Sequence, residues 1–279
     1  MKTVRVCYQK IGNMGDLLNE LIVEKVLGYR IELSDRWKCR TTGIGSHLIL
    51  FFTPESKRPG LPKRIAQKVY GALQPPVQIW STGFLDYSDE THHAIRREVN
   101  VSAVRGELSR RRLETILGRE LDVPLGDGGL LASRLFEKPI PKKYAIGVIP
   151  HFREAHEPRF RELQESYPNS VLVDLAAEPM SVIRTIAECE TIVSSALHGL
   201  IVADSFGIPN KRLVYSKQML GDGFKYDDYY SAFDLRVKPF DLNEGGSPPI
   251  ESVVEDYGIR PAAVKEKQDR LIEAFSRYV

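Results

Sequence analysis

The chain is poor in cysteine, with 3 in 279 residues. Cys7, Cys39 and Cys189 stand far apart, without a Cys-x-x-Cys pair, so neither a disulfide framework nor a zinc site is indicated and buried thiols are expected. An excess of one charge is also missing. Lys plus Arg number 39 against 37 Asp plus Glu, so no global field selects nucleic acid, no nucleic-acid-binding signature appears, and attraction to anions must be local. The longest apolar runs, such as residues 48–52, fall far short of the roughly 20 residues a spanning helix needs. Met1-Lys-Thr-Val-Arg5 lacks a signal-peptide core, and a cytoplasmic protein is expected. No repeat of solenoid period is visible, and the composition is that of a globular protein long enough for two domains.

What the chain does have is alternation. Residues 3–8 read as a strand, and 16–27 as a helix with Leu17, Leu18, Leu21, Ile22 and Val26 on its buried side. Strands follow at 77–80 and 100–104, a helix at 107–117 stopped by Gly118, and a return to the sheet at 121–125. After the linker Glu137-Lys-Pro-Ile-Pro-Lys-Lys143 come strands at 144–149 and 171–175, a helix at 181–189, a strand from Ile192, a closing strand at 211–215 and a last helix at 261–278. Strands alternating with helices call for parallel sheets covered by helices. The expected fold is α/β, with two Rossmann-like doubly wound domains facing a cleft: residues 1–136, residues 144–258, and a C-terminal helix, 259–279, packing back across both.

The run Thr191-Ile-Val-Ser-Ser-Ala-Leu-His-Gly-Leu-Ile-Val-Ala-Asp-Ser-Phe-Gly-Ile-Pro-Asn210 carries the most chemistry. A buried strand breaks at two serines and restarts as a helix that Gly207 stops. The free N–H groups of that first turn, with the positive end of the helix dipole, make a site for phosphate or carboxylate. His198 sits there as an acid/base; the alternative is a helix-start histidine bonded to backbone, against which Gly199 argues, since glycine in a helix implies close approach. In Gly12-Asn-Met-Gly15 the backbone can approach a ligand, and Asp16 either caps the next helix or binds hydroxyls. A third glycine at Rossmann spacing is missing, so no dinucleotide is inferred. Arg105 ends a strand and either grips an anion or forms a surface ion pair. His151, after a strand and a proline, either exchanges a proton or is a plain loop histidine. Lys225 stands among Phe224, Tyr226, Tyr229 and Tyr230, which suit sugar and phosphate contacts or simple packing. His92-His93, Arg110-Arg-Arg112 and the basic loop 57–64 read as solvated surface, the alternative for the two basic segments being contact with an anionic lipid carrier. No metal ligand set is suggested.

The 191–210 run resembles the signature of the polysaccharide pyruvyltransferase family, in its exopolysaccharide ketalase branch. Further stretches resemble it in order: Gly12-Asn-Met-Gly-Asp-Leu-Leu-Asn19, Gly43-Ile-Gly-Ser46, Trp80-Ser-Thr-Gly-Phe84, Ser102-Ala-Val-Arg-Gly106, Leu125-Gly-Asp127, Ile149-Pro-His151 and Phe224-Lys-Tyr-Asp-Asp-Tyr-Tyr230. Many members have arginine where this chain has Ala196. The resemblance implies a GT-B-like pair of domains, acceptor side first and donor side second, phosphoenolpyruvate as donor substrate and no cofactor. His198, His151 and Arg105 are then the catalytic candidates; Asn13, Asp16, Asn19, Ser46, Gly83, Ser194, Ser195, Leu197 and Lys225 are substrate-binding. The acceptor would be a sugar or lipid-linked oligosaccharide, with weak peripheral association at the inner membrane face. A nucleotide-sugar glycosyltransferase and a non-catalytic sugar-binding relative are the other readings.

Overall fold

Residues 1–9, 14–88, 92–94, 98–215 and 222–277 are described by the structure, a computed structural model. The first half runs β1 (Thr3–Cys7), α1 (Met14–Leu21), β2 (Arg30–Leu33), β3 (Thr41–Thr42), β4 (Phe52–Pro54), α2 (Leu61–Ala72), β5 (Val77–Ile79), β6 (His92–Ala94), β7 (Val99–Val101) and α3 (Glu107–Leu117). β1 is built on Val4 and Val6, which point inward while Thr3 and Arg5 stay exposed, the period-2 alternation of a strand. A wholly parallel sheet of order β2-β1-β3-β5-β7 results. Single bridges carry it past its strand ends, joining Gly45 to Thr82, Thr82 to Val104, and Val104 to Leu125. The return at 121–125 is therefore one bridge and not a strand. β4 and β6 form a separate antiparallel pair.

The second half runs β8 (Tyr144–Ile149), α4 (Pro158–Glu165), β9 (Ser170–Leu172), α5 (Pro179–Ala187), β10 (Cys189–Ser194), α6 (Leu197–Ser205), β11 (Asn210–Val214), α7 (Phe224–Ser231), β12 (Phe240–Asp241), α8 (Ile250–Glu255) and α9 (Pro261–Ser276). Its sheet is again all parallel, β12-β11-β10-β8-β9. β11 does not close it, because β12 adds an edge beyond. Glu178 caps α5 by accepting from the Met180 and Ser181 amides, so that helix starts and ends two residues earlier than its apolar pattern suggested, and Cys189 opens β10.

One apolar cluster holds residues of both sheets together, including Val4, Val6, Trp80, Ile149, Ile192 and Phe275. A fully buried side chain of this size contributes about 1.5–3 kcal/mol. α9 lies against the first sheet: Trp80 Nε1 donates to Leu271 O at 3.0 Å, Gln78 Nε2 to Ala274 O at 3.1 Å, and the Trp80 and Phe275 rings meet edge to face at 5.0 Å. Ligands of parallel sheets lie beyond the carboxyl ends of the strands. The loops after β3, β5, β7, β8 and β10, which carry Ser46, Gly83, Arg105, His151 and Ser195, are at those ends, and Leu197 and His198 open the helix that follows β10. All three cysteines are buried.

Candidate active site

β10 ends by turning on its two serines, both fully buried. Ser194 Oγ bonds the Ile149 and Ala196 carbonyls and accepts from the Ala196 amide, each at 3.0 Å. Ser195 Oγ donates to Glu154 at 2.6 Å and accepts from the His151 amide at 2.8 Å, while Ser195 O accepts from the Tyr226 hydroxyl at 2.6 Å. The serine hydroxyls thus shape the loop and hold His151 in place, and the Ser195 carbonyl holds α7. Ligand-binding capacity falls instead to the start of α6. The Gly199 and Leu200 amides turn back to Ala196 O, leaving the Leu197 and His198 amides without an acceptor among the described residues. Two free donors at a nine-residue helix's positive end favour an anion.

The His198 ring rests on the first turn of α1. A Cβ on Gly15 would stand 2.2 Å from its Nδ1, so glycine is what lets the two helices meet. Nε2 is sealed from solvent and has no hydrogen-bond partner among the described residues. Burial pushes the imidazole down to about 3, helped by Lys225 and Arg105 and then by His47 and His151, so it stays neutral at physiological pH. Gly15→Ala is expected to shift this ring and cut turnover by about 10²-fold, the scale of a misplaced reacting group. Circular dichroism and steady-state rates check it; an unchanged rate in the folded variant would show that the ring's seat is unimportant.

Arg105 is completely buried. Nε bonds Asp228 of α7 at 2.9 Å, Nη1 the Ser46 hydroxyl at 2.7 Å and Nη2 the Phe84 carbonyl at 2.5 Å. Two of its five N–H donors lack a described acceptor. Neither surface ion pair nor open clamp, it ties the first half to α7, and Gly83 lies flat on its guanidinium, where a Cβ would come within 2.5 Å. Ser81, in the left-handed region at φ 58°, turns the chain from β5 into this contact.

Cations dominate the surroundings. Lys225 is pushed down to about 8, first by burial and then by Arg105 and Arg212, with Glu154 opposing and Arg153 adding. Arg212 of β11 lies over the Tyr226 ring at 3.9 Å with Nε buried and unbonded. His151, half-buried, is lowered to about 4 by burial, Lys225 and Arg153. Cations that depress one another's proton affinity form a site that an anion stabilises. Among the described residues no three His, Cys, Asp or Glu side chains form a metal-ligand cluster.

His198, His151, Lys225, Arg105 and the Leu197 amide are therefore brought together, with Ser46 and Gly83 touching Arg105. Asn19 is buried and spends its amide on Ile44, accepting from the backbone N at 2.7 Å and donating to O at 3.2 Å. Asn13 lies outside the described residues, and of Asp16 only its place in α1 is described. His92 lies on a strand, is buried and bonds Arg112 at 2.7 Å, and the Arg112 guanidinium covers Phe84 at 4.1 Å; neither is solvated surface. Residues 61–64 are the first turn of α2 rather than loop. Sequence reasoning missed Arg212, Glu154, His47 and Asp127. Asp127 Oδ1 accepts from the Gly129 amide at 2.8 Å, Oδ2 is buried and unbonded, and burial raises the carboxyl to about 6 against the pull of Gly129 and Arg105. His47, held neutral at about 4 by burial, bonds Ile44 O through Nε2 at 3.0 Å. His47 and Asp127 adjoin or end quoted motifs; Arg212 has no such signal.

Comparison with known proteins shows the family of the chain. An uncharacterized protein of Acanthamoeba polyphaga mimivirus is 31% identical over 235 residues, 82% of this chain and 73% of that protein. The succinoglycan biosynthesis protein ExoV of Rhizobium meliloti is 24% identical over 144 residues, 51% of this chain and 43% of that protein. The signature of the polysaccharide pyruvyl transferases matches residues 66–216, more than half of the chain, which therefore belongs to the polysaccharide pyruvyl transferase family.

Proposed function

We propose that the protein transfers pyruvate from phosphoenolpyruvate to two hydroxyls of one sugar, forming a cyclic ketal in cell-surface polysaccharide synthesis. The observation that carries this reading is a neutral, unpartnered His198 at a helix N-terminus whose free amides face a cluster of cations. Residues 144–258 would hold the donor and residues 1–136 the acceptor, in a GT-B-like arrangement. The Leu197 and His198 amides and Lys225 receive the phosphate and carboxylate, the buried Arg105 acts through its charge, and Arg212 adds the positive charge that Ala196 does not supply.

The chemistry needs two protons delivered, one to carbon and one to the departing phosphate, and two removed from the sugar hydroxyls. Protonation of the donor's methylene carbon creates an oxocarbenium-like centre; one sugar hydroxyl attacks it and loses its proton. The C–O bond to phosphate then breaks, the second hydroxyl closes the ring, and its proton is removed in turn. His198 is the proton-transfer group at the reacting carbon, with His151 serving the hydroxyls. A bound anion offsets the repulsion from Lys225 and Arg105, so His198 gains proton affinity when the donor arrives. The acceptor is a sugar or lipid-linked oligosaccharide.

Donor affinity has a pH signature. Lys225 titrates near 8 in the free protein, and an anion favours its charged form, so affinity is flat below pH 8 and falls by up to about tenfold per unit above it. Calorimetric titration with phosphoenolpyruvate across this range checks it, and Lys225→Met should flatten the slope; a slope kept in that variant assigns it elsewhere. The reaction itself is tested by NMR with lipid-linked oligosaccharide extracts as acceptor. Inorganic phosphate and a new ketal methyl signal should rise together, and phosphate release without a ketal would refute the transfer.

A further inference from the structure

Helix α2 presents the wrong face to water. Leu61, Ile65, Val69 and Leu73 follow one another at four-residue intervals and are 64%, 55%, 58% and 77% exposed, while the groups turned toward the protein are Arg64, Gln67 and the buried Gly71. An amphipathic helix of a folded domain normally buries its apolar stripe. Here no described element packs closely along the helix, and its described ring contact is Tyr70 against Trp37 at 5.7 Å.

The charge around the stripe is of one sign. Residues 56–85 contain no Asp or Glu, yet include Lys57, Arg58, Lys63, Arg64 and Lys68. Glu55, just outside, pairs with Arg58 at 2.9 Å and with His93. Lys63, Arg64 and Lys68 have no ion pair among the described residues. Beside the stripe, between α2 and the β4–β6 pair, an open cavity of about 270 Å³ is lined by Thr53, Arg58, Arg64, Lys68 and His93. Apolar residues flanked by unpaired cations are the pattern of a helix that lies in a membrane interface, and the cavity offers a phosphate three cationic side chains.

We propose that α2 docks the protein on an anionic lipid surface, its Leu61–Ile65–Val69–Leu73 stripe among the upper acyl chains and a headgroup phosphate in the Arg58–Arg64–Lys68 cavity. Its purpose rests on the reading that the acceptor is lipid-borne, because docking would bring the cleft to a substrate that cannot leave the membrane. The contact itself needs no substrate.

Sedimentation with vesicles of equal parts phosphatidylglycerol and phosphatidylcholine tests it. Wild type should pellet with these at low salt, less so as ionic strength rises, and remain in solution with phosphatidylcholine alone. Ile65→Asp/Val69→Asp and Lys63→Gln/Arg64→Gln/Lys68→Gln should each weaken partition by about tenfold or more. These side chains support no described core, so melting temperatures should hold, and phosphoenolpyruvate binding should be unchanged in both variants. Loss of donor binding in wild type would sink the transfer reading and leave docking standing. Docking is overturned if wild type ignores the anionic vesicles, if it binds neutral ones equally, or if Ile65→Asp/Val69→Asp pellets as wild type does. It is also overturned if wild type is a dimer that the aspartates dissociate, since a second copy would then cover the stripe.

Discussion

Replacing His198 with leucine is expected to lower turnover by at least about 10²-fold, the usual contribution of a positioned proton-transfer group, while melting temperature stays the same or rises. The second half of that expectation follows from Nε2, which is buried and makes no hydrogen bond among the described residues, so that an apolar side chain of similar size removes an orphaned atom. An orphaned polar atom costs about 1–3 kcal/mol, and such a cost is tolerated where the atom is needed for function. The effect should fall on kcat, because donor anchoring rests on backbone amides and cations that the substitution leaves in place. Phosphate release at saturating phosphoenolpyruvate measures it. Undiminished turnover would remove His198 from the chemistry.

The second large effect is on folding. Asp228 accepts from Arg105 Nε at 2.9 Å and from the Ser109 amide and hydroxyl, both at 2.7 Å, and all of these groups are buried. Asp228→Ala would leave the Arg105 charge without its counterion in a dry site, a loss of about 3–5 kcal/mol. At roughly 2–4 °C per kcal/mol for a chain of this size, the melting temperature should fall by about 6–20 °C. Salt should rescue little, because a buried pair is poorly screened. Fit is as tight as charge here: a Cβ on Gly106 would stand 1.6 Å from Asp228 O. Since the same helix carries Lys225 and the Tyr226 hydroxyl bonded to Ser195 O, donor affinity should drop together with stability. A thermal scan with a parallel donor titration checks both, and a melting temperature unmoved in Asp228→Ala would mean that Arg105 does not depend on this pair.

Much of the fold was legible because burial imposes periods on sequence. The strands at 3–8, 77–80 and 144–149 and the helices at 107–117 and 197–205 appear within a residue or two of their expected bounds, and the glycine-bearing turns at 43–46 and 81–84 do lie at strand ends. Positions written by long-range contact were not legible. Arg105 and Asp228 are 123 residues apart, so nothing local says that the arginine is buried rather than free to clamp a ligand. The serines of the 194–195 turn have the residue type of ligand contacts, yet their bonds to Ile149, Glu154 and His151 make them scaffolding. α2 misled for the opposite reason: Pro59, Gly60 and Pro62 suggest a loop, but Pro62 lies in the first turn, where proline is tolerated. In the sequence His92 reads as surface, because only the fold brings Arg112 and Phe84 against it.

Calorimetric titration of the purified protein with phosphoenolpyruvate, and separately with UDP-glucose as the nucleotide-sugar rival, tests the donor site most directly. Saturable binding of phosphoenolpyruvate that weakens above pH 8 and in Lys225→Met is the expected result, with no binding of UDP-glucose. Binding of UDP-glucose and none of phosphoenolpyruvate would contradict it.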